Sequence, residues 1–479
     1  MSDSMRGQIG KVWLIAHREL RDQFRDWRII VPMIVLTIFF PFLMTFTAKQ
    51  ALDFVASYGG GTIIPERLVP FLLMVVGFFP ITVSLVIALE SFVGEKERGT
   101  IEPLLSSPLK DWHIYLGKLF ASASVPLITA YLGISVFLIY LKIDNIAIPD
   151  INLLTQTIFL TTVQALLMVS GAIVISTQAT SVRAANLLSS FIVIPIAILI
   201  QGESVLMFWG NNQILWLAII GVSILAVLMI RVGIAHFQRE ALLGREIDIL
   251  NFKWIIRTFW NSFSGNYKNI FNWYRYEIPK TLKKMRITIV LIILMGIIGA
   301  VFSYYYVLSY DTALAFNPET VSGELRQVFG TEIGSFGDAT ISVQYIFGNN
   351  VRAIGVILLL GLVSFGVLGA IAYIVNMGLI GAVLAFVSIF GYSQAQIVLS
   401  GILPHGVFEI PAIILSSAAV LHIGITLITP LSQRSLGEVL IESLADWAKI
   451  AIGITVPLLV IAAMIETWVT PILLLSVIK

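Results

Sequence analysis

The chain has 479 residues, of which 58% are hydrophobic and only 12% are charged, and its mean hydropathy is +0.93. Soluble proteins carry about 25% charged residues, so this composition excludes a soluble enzyme, a disordered chain and a secreted disulfide scaffold. The absence of cysteine also excludes thiolate nucleophiles and cysteine metal sites. The net charge of +2 says little by itself, whereas the distribution of charge along the chain is informative.

Long apolar runs occupy most of the chain, and runs of about 20 apolar residues are long enough to cross a bilayer. Because backbone groups in lipid must form internal hydrogen bonds, we expect these runs to be helices. The sequence predicts an all-α polytopic membrane protein with about eleven transmembrane helices, six before and five after a polar stretch. The predicted spans are 29–48, 68–92, 113–141, 153–177, 185–202, 213–235, 287–308, 351–375, 377–400, 408–428 and 450–476.

Lysine and arginine are distributed unevenly between the predicted loops. With the N-terminus in the cytoplasm, the cytoplasmic stretches hold 24 of the 30 basic residues, and the outer loop 309–350 is acidic. This bias predicts a cytoplasmic N-terminus. No cleavable signal peptide is evident, so we expect the first span to act as the targeting signal of a multi-pass protein in a prokaryotic plasma membrane.

Residues 1–28, before the first span, predict an amphipathic helix on the inner leaflet. Charged residues fill one face of this helix, while apolar residues recur on the other at helical spacing. A simple basic anchor would explain the same pattern. The apolar positions are Val12, Ile15, Ala16, Leu20 and Phe24.

A charged stretch lies between the second and third spans, on the predicted cytoplasmic side, and we call residues 94–108 the ionic loop. Thr100 is placed to cap a short helix that begins near Ile101, and Pro103 is tolerated in a first turn. A short charged helix beneath the bilayer suits docking onto a soluble partner. A solvated loop with alternating charge fits the pattern equally well.

These motifs resemble the type-2 ABC exporter permeases over about residues 10–235. The resemblance lies in Arg18-Glu19-Leu20 and Arg25-Asp26 before the first span, and in Glu-Lys-Glu-Arg-Gly-Thr-Ile-Glu from residue 95, followed by Gly117-Lys118. It implies a six-span permease domain at 29–235, contact of the loop 93–112, which contains the ionic loop, with an ABC ATPase subunit, and a second permease copy or a homologous permease. The coupling residues implied are Glu95, Lys96, Glu97, Arg98, Gly99, Thr100 and Glu102.

The chain has no stretch that matches the Gly-x-x-x-x-Gly-Lys-Ser/Thr phosphate loop, and no Gly-x-Ser-x-Gly or His-Glu-x-x-His motif. We therefore expect a transporter subunit that is not itself an enzyme. ATP and Mg²⁺ would be bound by the partner ATPase, and this chain would need no cofactor or metal of its own.

A polar linker at 236–286 divides the six spans from the five. Ten basic residues between Arg239 and Arg286 alternate with tryptophan, tyrosine and phenylalanine. Such a segment can bind nucleic acid, but beside two spans we favour a helix in the membrane interface, with its cations on anionic lipid. We therefore expect the bilayer, and no nucleic acid, as its partner.

The least defined part of the chain is 351–428, where Asn376, Gly378 and Gly381 predict one break and Pro404 another. Two spans or a re-entrant pair fit equally well. His405 and Glu409 share a helical face, and a carboxylate inside a span is a functional-site hypothesis. With Asn376 they form a candidate intramembrane polar site for a proton or a cation. Alternatively, Glu409 only caps backbone or pairs with His405.

The second half resembles the stage II sporulation protein M family over about residues 270–479. The matching features are the basic segment 280–286, Asn349-Asn350, Asn376-Met377-Gly378 and Pro404-His405-Gly406 with Glu409. The resemblance implies a five-span unit at 287–479, of a kind often associated with ABC systems or envelope remodelling.

The leading hypothesis is the permease subunit of an ABC exporter with an unidentified substrate. One alternative is a scaffolding protein that relays ATPase motion to envelope enzymes through the outer loop 309–350. Another is an ion- or proton-coupled site, or a membrane hydrolase, at His405 and Glu409.

Overall fold

The computed structural model describes residues 5–58, 63–179, 181–209, 212–237, 252–265, 267, 269–309, 342–429 and 436–478. All regular structure in these ranges is helical. Eleven of the described helical segments are long and apolar enough to cross a membrane, which confirms the predicted all-α polytopic architecture. The chain forms two compact units, residues 1–250 with six of these segments and residues 251–479 with five.

In the first unit, the long helix α3 packs against both α5 and α6. All three are apolar along most of their length, as the membrane requires of helices that cross it. The described helices of this unit are α1 (Met5–Arg25), α2 (Trp27–Tyr58), α3 (Ile63–Glu97), α4 (Ile101–Leu105), α5 (Asp111–Ile143), α6 (Ile151–Gln178), α7 (Val182–Leu188), α8 (Ser190–Trp209) and α9 (Asn212–His236).

The N-terminal helix α1 packs on α5 through part of its apolar stripe. Val12, Ile15 and Ala16 are buried, whereas Phe24 is exposed. The close approach depends on Gly117, because a Cβ at this position would lie 2.6 Å from Cβ of Ile15. The stripe that we predicted to face the bilayer is therefore used largely for contact within the protein, and the inner-leaflet position of α1 stays a prediction.

In the second unit, α13 and α15 share the most extensive contact among the described helices. Among its described residues, three π-helical turns interrupt the α-helices, at Trp273–Glu277, Val398–Ile402 and Ala451–Thr455. The described helices are α10 (Phe252–Ser264), α11 (Ile270–Asn272), α12 (Ile278–Lys284), α13 (Arg286–Ser309), α14 (Val343–Val363), α15 (Val367–Ile389), α16 (Gln394–Ile397), α17 (Leu403–Ile428), α18 (Leu436–Ile450), α19 (Val456–Trp468) and α20 (Thr470–Ile478).

The breaks predicted within 351–428 are wrong. The observed breaks are Ser364–Gly366, where Phe365 and Gly366 have φ of 51° and 88°, and residues 390–393, where Gly391 has φ of 75°. Asn376 lies inside α15, and Pro404 lies in the first turn of α17, where its missing N–H leaves no intrahelical bond unmade.

Three candidate spans, 343–363, 367–389 and 394–428, therefore replace those predicted at 351–375, 377–400 and 408–428. The region thus has three candidate spans rather than two, and the re-entrant alternative stays a prediction. The last span also moves toward the N-terminus, to 436–468 in place of 450–476, and α20 follows it as a separate helix.

Residues 252–286 of the predicted linker, as far as the structure describes them, belong to the second unit and form a series of short helices. No side chain of α10 is buried, and Phe252, Ile256 and Trp260 are among its exposed apolar residues. Residues 238–251 of the linker and residues 310–341 of the outer loop lie outside the described residues.

Candidate functional site

The ionic loop begins in the last turn of α3, reverses direction at a tight turn and continues as α4. Gly99 has φ of 68°, a conformation that glycine adopts without strain, and it reverses the chain between the two helices. Thr100 stands at the N-cap position of α4, but its hydroxyl lies 3.4 Å from the carbonyl oxygen of Glu95 and does not cap the helix. The predicted side-chain cap is therefore wrong, although the predicted helix is present.

The loop is attached to the unit by both apolar and charged residues. Ile101 and Leu104 are buried in the apolar core that also contains Phe92, Ile114 and Ile173. Because α4 has only five residues, these buried contacts, rather than intrinsic helix stability, hold it in place.

Lys118 of α5 is the central cation beneath the loop, with 1% of its side chain exposed. Its Nζ lies 3.1 Å from Oε1 of both Glu19 and Glu95 and donates a hydrogen bond of 2.7 Å to the carbonyl oxygen of Ser91. Arg18 adds a second cation 3.1 Å from Oε1 of Glu95. This ionic network (Arg18, Glu19, Glu95 and Lys118) joins α1, α3 and α5.

Two further loop residues hold α3 against the α6–α7 junction. Lys96 Nζ donates to the carbonyl oxygens of Thr177 and Ala179, both at 3.1 Å. Glu97 accepts a hydrogen bond of 2.8 Å from the backbone N–H of Val182. Since Val182 is the first residue of α7, the carboxylate lies at the positive end of that helix.

The coupling residues implied by the sequence resemblance thus separate into two groups. Glu95, Lys96 and Glu97 make contacts within the unit, whereas Arg98, Gly99, Thr100 and Glu102 are exposed. The residue that sequence reasoning undervalued is Lys118, although the Gly117-Lys118 pair was part of the resemblance.

The second candidate site is a polar cluster in the second unit. His405 and Glu409 lie one helical turn apart on α17, with Nε2 and Oε2 separated by 4.0 Å. Both side chains line a cavity of about 270 Å³, together with Asn376 of α15 and Glu466 of α19. The structure therefore brings the three predicted polar-site residues together and adds a second carboxylate.

Sequence reasoning missed Glu466 and its neighbour Thr470, whose hydroxyl lies 3.2 Å from Nδ1 of His405. The sequence does contain an indication of Glu466, because it is an acidic residue inside an apolar run, as Glu409 is.

A third set of charges joins the linker to α18. Lys449 Nζ lies 3.1 Å from Glu277 and 2.8 Å from Asp446, and Lys284 lies 2.9 Å from Asp446. Burial raises the pKa of Glu277, but hydrogen bonds and charge from Lys449 and Lys280 outweigh it and hold the pKa below its ordinary value. These buried ion pairs give the linker a structural role in the second unit.

This network predicts a pH-dependent stability. Because the pKa of Glu277 is lowered in the folded protein, its stabilising effect is present above the unfolded pKa of about 4.3 and is lost as the pH falls through the folded value. The apparent thermal midpoint should fall more steeply on acidification from neutral pH in the wild type than in Glu277→Gln. Parallel midpoint curves for the two proteins would contradict the pairing.

Comparison with known protein families gives a match in each of the two units. Residues 13–241 match the family described as ABC-2 family transporter protein, and residues 288–471 match the stage II sporulation protein M family. An uncharacterised protein of Methanocaldococcus jannaschii is 26% identical over 187 residues, which are 39% of this chain and 96% of that protein. The chain thus combines a domain that matches the ABC-2 family with one that matches the stage II sporulation protein M family, and the first match supports a permease subunit of an ABC-type transporter.

Proposed function

We propose that this chain is the permease of an ABC exporter and that its ionic loop docks onto a separate ATPase subunit. The chain lies in a prokaryotic plasma membrane with its N-terminus in the cytoplasm, beside a second copy or a homologous permease. The partner ATPase binds ATP and Mg²⁺ and performs the hydrolysis. The work of hydrolysis moves the six spans of the first unit and exports the substrate.

The observation that carries this proposal is the two-sided construction of the ionic loop. Arg98, Glu102 and Pro103 are exposed, so they form a charged surface on which a soluble protein can dock. On the opposite side, Lys96 and the ionic network connect the loop to α1, α5 and α6. A force on the exposed side therefore passes directly into helices that cross the membrane.

Such a connection supports coupling by rigid-body movement. The ATP-bound and ATP-free partner must contact the loop differently, because only differential contact can shift the permease between two conformations. The buried side chains of Ile101 and Leu104 keep α4 from sliding over the unit when the partner moves. The expected result is a tilt of α3 and α5 that follows the movement of the ATPase.

The double substitution of Arg98 and Glu102 by alanine tests the docking surface. We expect about tenfold weaker binding of the ATPase subunit, since removing charged side chains from a protein interface costs about 1–2 kcal/mol. The measurement is titration of the full-length chain in nanodiscs with the ABC ATPase that copurifies with it. Because both side chains are exposed, the thermal midpoint should not change.

Lys142→Ala is the matched control, since this exposed lysine lies in the last turn of α5, far along the helix from Asp111. Glu97 is left intact, because its carboxylate accepts the hydrogen bond from Val182 and its loss would disturb the unit itself. Unchanged ATPase affinity in the double variant, with normal stability, would rule out docking through this surface.

A further inference from the structure

We propose that His405, Glu409 and Glu466 form a binding site for a single divalent transition-metal cation, of which Zn²⁺ is the best probe. One potential ligand atom from each of the three side chains lies within 4.8 Å of the others. A cation at their centre would be reached by small side-chain adjustments, since Zn²⁺ binds nitrogen and oxygen ligands at about 2.0–2.2 Å. The site is independent of the ionic loop and of ATPase docking.

The orientation of the imidazole supports metal binding. Nδ1 of His405 lies 3.2 Å from Oγ1 of Thr470, while Nε2 lies on the side of Glu409. If Nδ1–H donates to the hydroxyl, Nε2 carries the lone pair that a metal needs. Ligating histidines almost always use their other nitrogen in this way, because that hydrogen bond fixes the ring and its tautomer.

The negatively charged side chains in the cavity also favour the binding of a cation. Glu409 and Glu466 place two carboxylates beside each other in helices that contain no lysine, no arginine and no other carboxylate. None of the described residues that line the cavity is a lysine or an arginine. A carboxylate pair in such surroundings is costly unless a cation or a shared proton compensates it.

The ligand types indicate which class of cation fits. Imidazole nitrogen suits zinc, iron, copper and nickel, whereas Mg²⁺ and Ca²⁺ prefer sites made of oxygen alone. Three protein ligands leave a fourth position open in a tetrahedral site. All three side chains line the cavity of about 270 Å³, so a water molecule or an oxygen atom of a substrate could complete the coordination.

The scaffold holds the three ligands on packed helices. His405 and Glu409 are four residues apart on α17, which packs against the helical segment that carries Glu466. Each of these two side chains is only partly exposed, at 17% and 20%. Ligands fixed in this way lose little conformational freedom when the metal binds.

The test is a calorimetric titration of the purified full-length chain with ZnCl₂ after chelator treatment, and a parallel titration with Co²⁺ followed by visible absorption. We expect about one Zn²⁺ per chain and a tetrahedral Co²⁺ spectrum. His405→Gln and Glu466→Gln should abolish saturable binding. Thr470→Val should retain the site with about 10–100-fold weaker affinity, since it removes only the hydrogen bond to the ligating ring.

Matched controls exclude trivial explanations. His422→Gln on the same helix and Glu438→Gln on α18 should bind Zn²⁺ as the wild type does, because neither residue belongs to the cluster. Zn²⁺ should raise the thermal midpoint of the wild type but not that of Glu466→Gln, which reports binding even if the variant is less stable. Equal Zn²⁺ binding by wild type and Glu466→Gln, or displacement of Zn²⁺ by equimolar Mg²⁺, would overturn the proposal, as would the absence of Zn²⁺ binding by the wild type.

Discussion

Replacement of Lys118 by methionine is expected to lower the stability of the protein by about 3 kcal/mol, because it removes the cation shared by Glu19 and Glu95. The two carboxylates keep Arg18 and part of their solvent contact, which places the loss at the low end for a broken buried pair. For a unit of this size, the apparent thermal midpoint in detergent should fall by about 6–12 °C.

Lys142→Met is the control for this experiment, since it removes an exposed lysine from the same helix. Its thermal midpoint should match that of the wild type. The triple variant Lys118→Met, Glu19→Gln and Glu95→Gln should recover part of the loss, because it no longer contains uncompensated charges. If Lys118→Met alone were as stable as Lys142→Met, the network would have no structural role.

Gly381→Ala should be a strongly destabilising single-methyl change in the second unit. A Cβ at this position would overlap the backbone carbonyl of Ala300 on α13, and a backbone group cannot move aside as a flexible side chain can. The helices α13 and α15 would have to separate along their contact, where small residues allow close packing in the membrane. We expect a loss of about 1–3 kcal/mol or more, measured by thermal unfolding in detergent.

Gly355→Ala provides the matched comparison. Gly355 is also inside a helix, but nothing lies within 4 Å of the position that its Cβ would take. Alanine favours a helix over glycine by about 1 kcal/mol, so this variant should be as stable as the wild type or more so. An equal loss of stability in the two variants would show that helix packing does not set the requirement for glycine at residue 381.

The number of spans and their division into six and five follow from the sequence, because a bilayer imposes length and apolarity on each helix separately. The positions of the breaks do not follow in the same way. Gly378 and Gly381, which lie close to Asn376, are compatible both with a break and with close helix packing. Only the position of the partner helix α13 shows that they allow close packing. The actual break at Ser364–Gly366 contains one serine and one glycine, but both residue types also occur inside helices of this unit, so they do not mark the break in the sequence.

The candidate sites were predictable to different degrees. His405 and Glu409 come together because a helix places residues four apart on one face. Glu466 joins them only through the packing of a distant helix, which spacing alone does not reveal. Lys118 likewise acquires its role because α1, α3 and α5 meet around it. In the sequence it is one isolated lysine, which gives little indication of a buried cation.

The π-helical turn Val398–Ile402 has a consequence for length variation among relatives. A π turn holds one residue more than an α-helical turn. Deleting that residue would restore an uninterrupted helix and rotate α17 by about 100° relative to α16. Since His405 follows three residues later, homologous chains that are one residue shorter here should have lost the histidine and both carboxylates as a set.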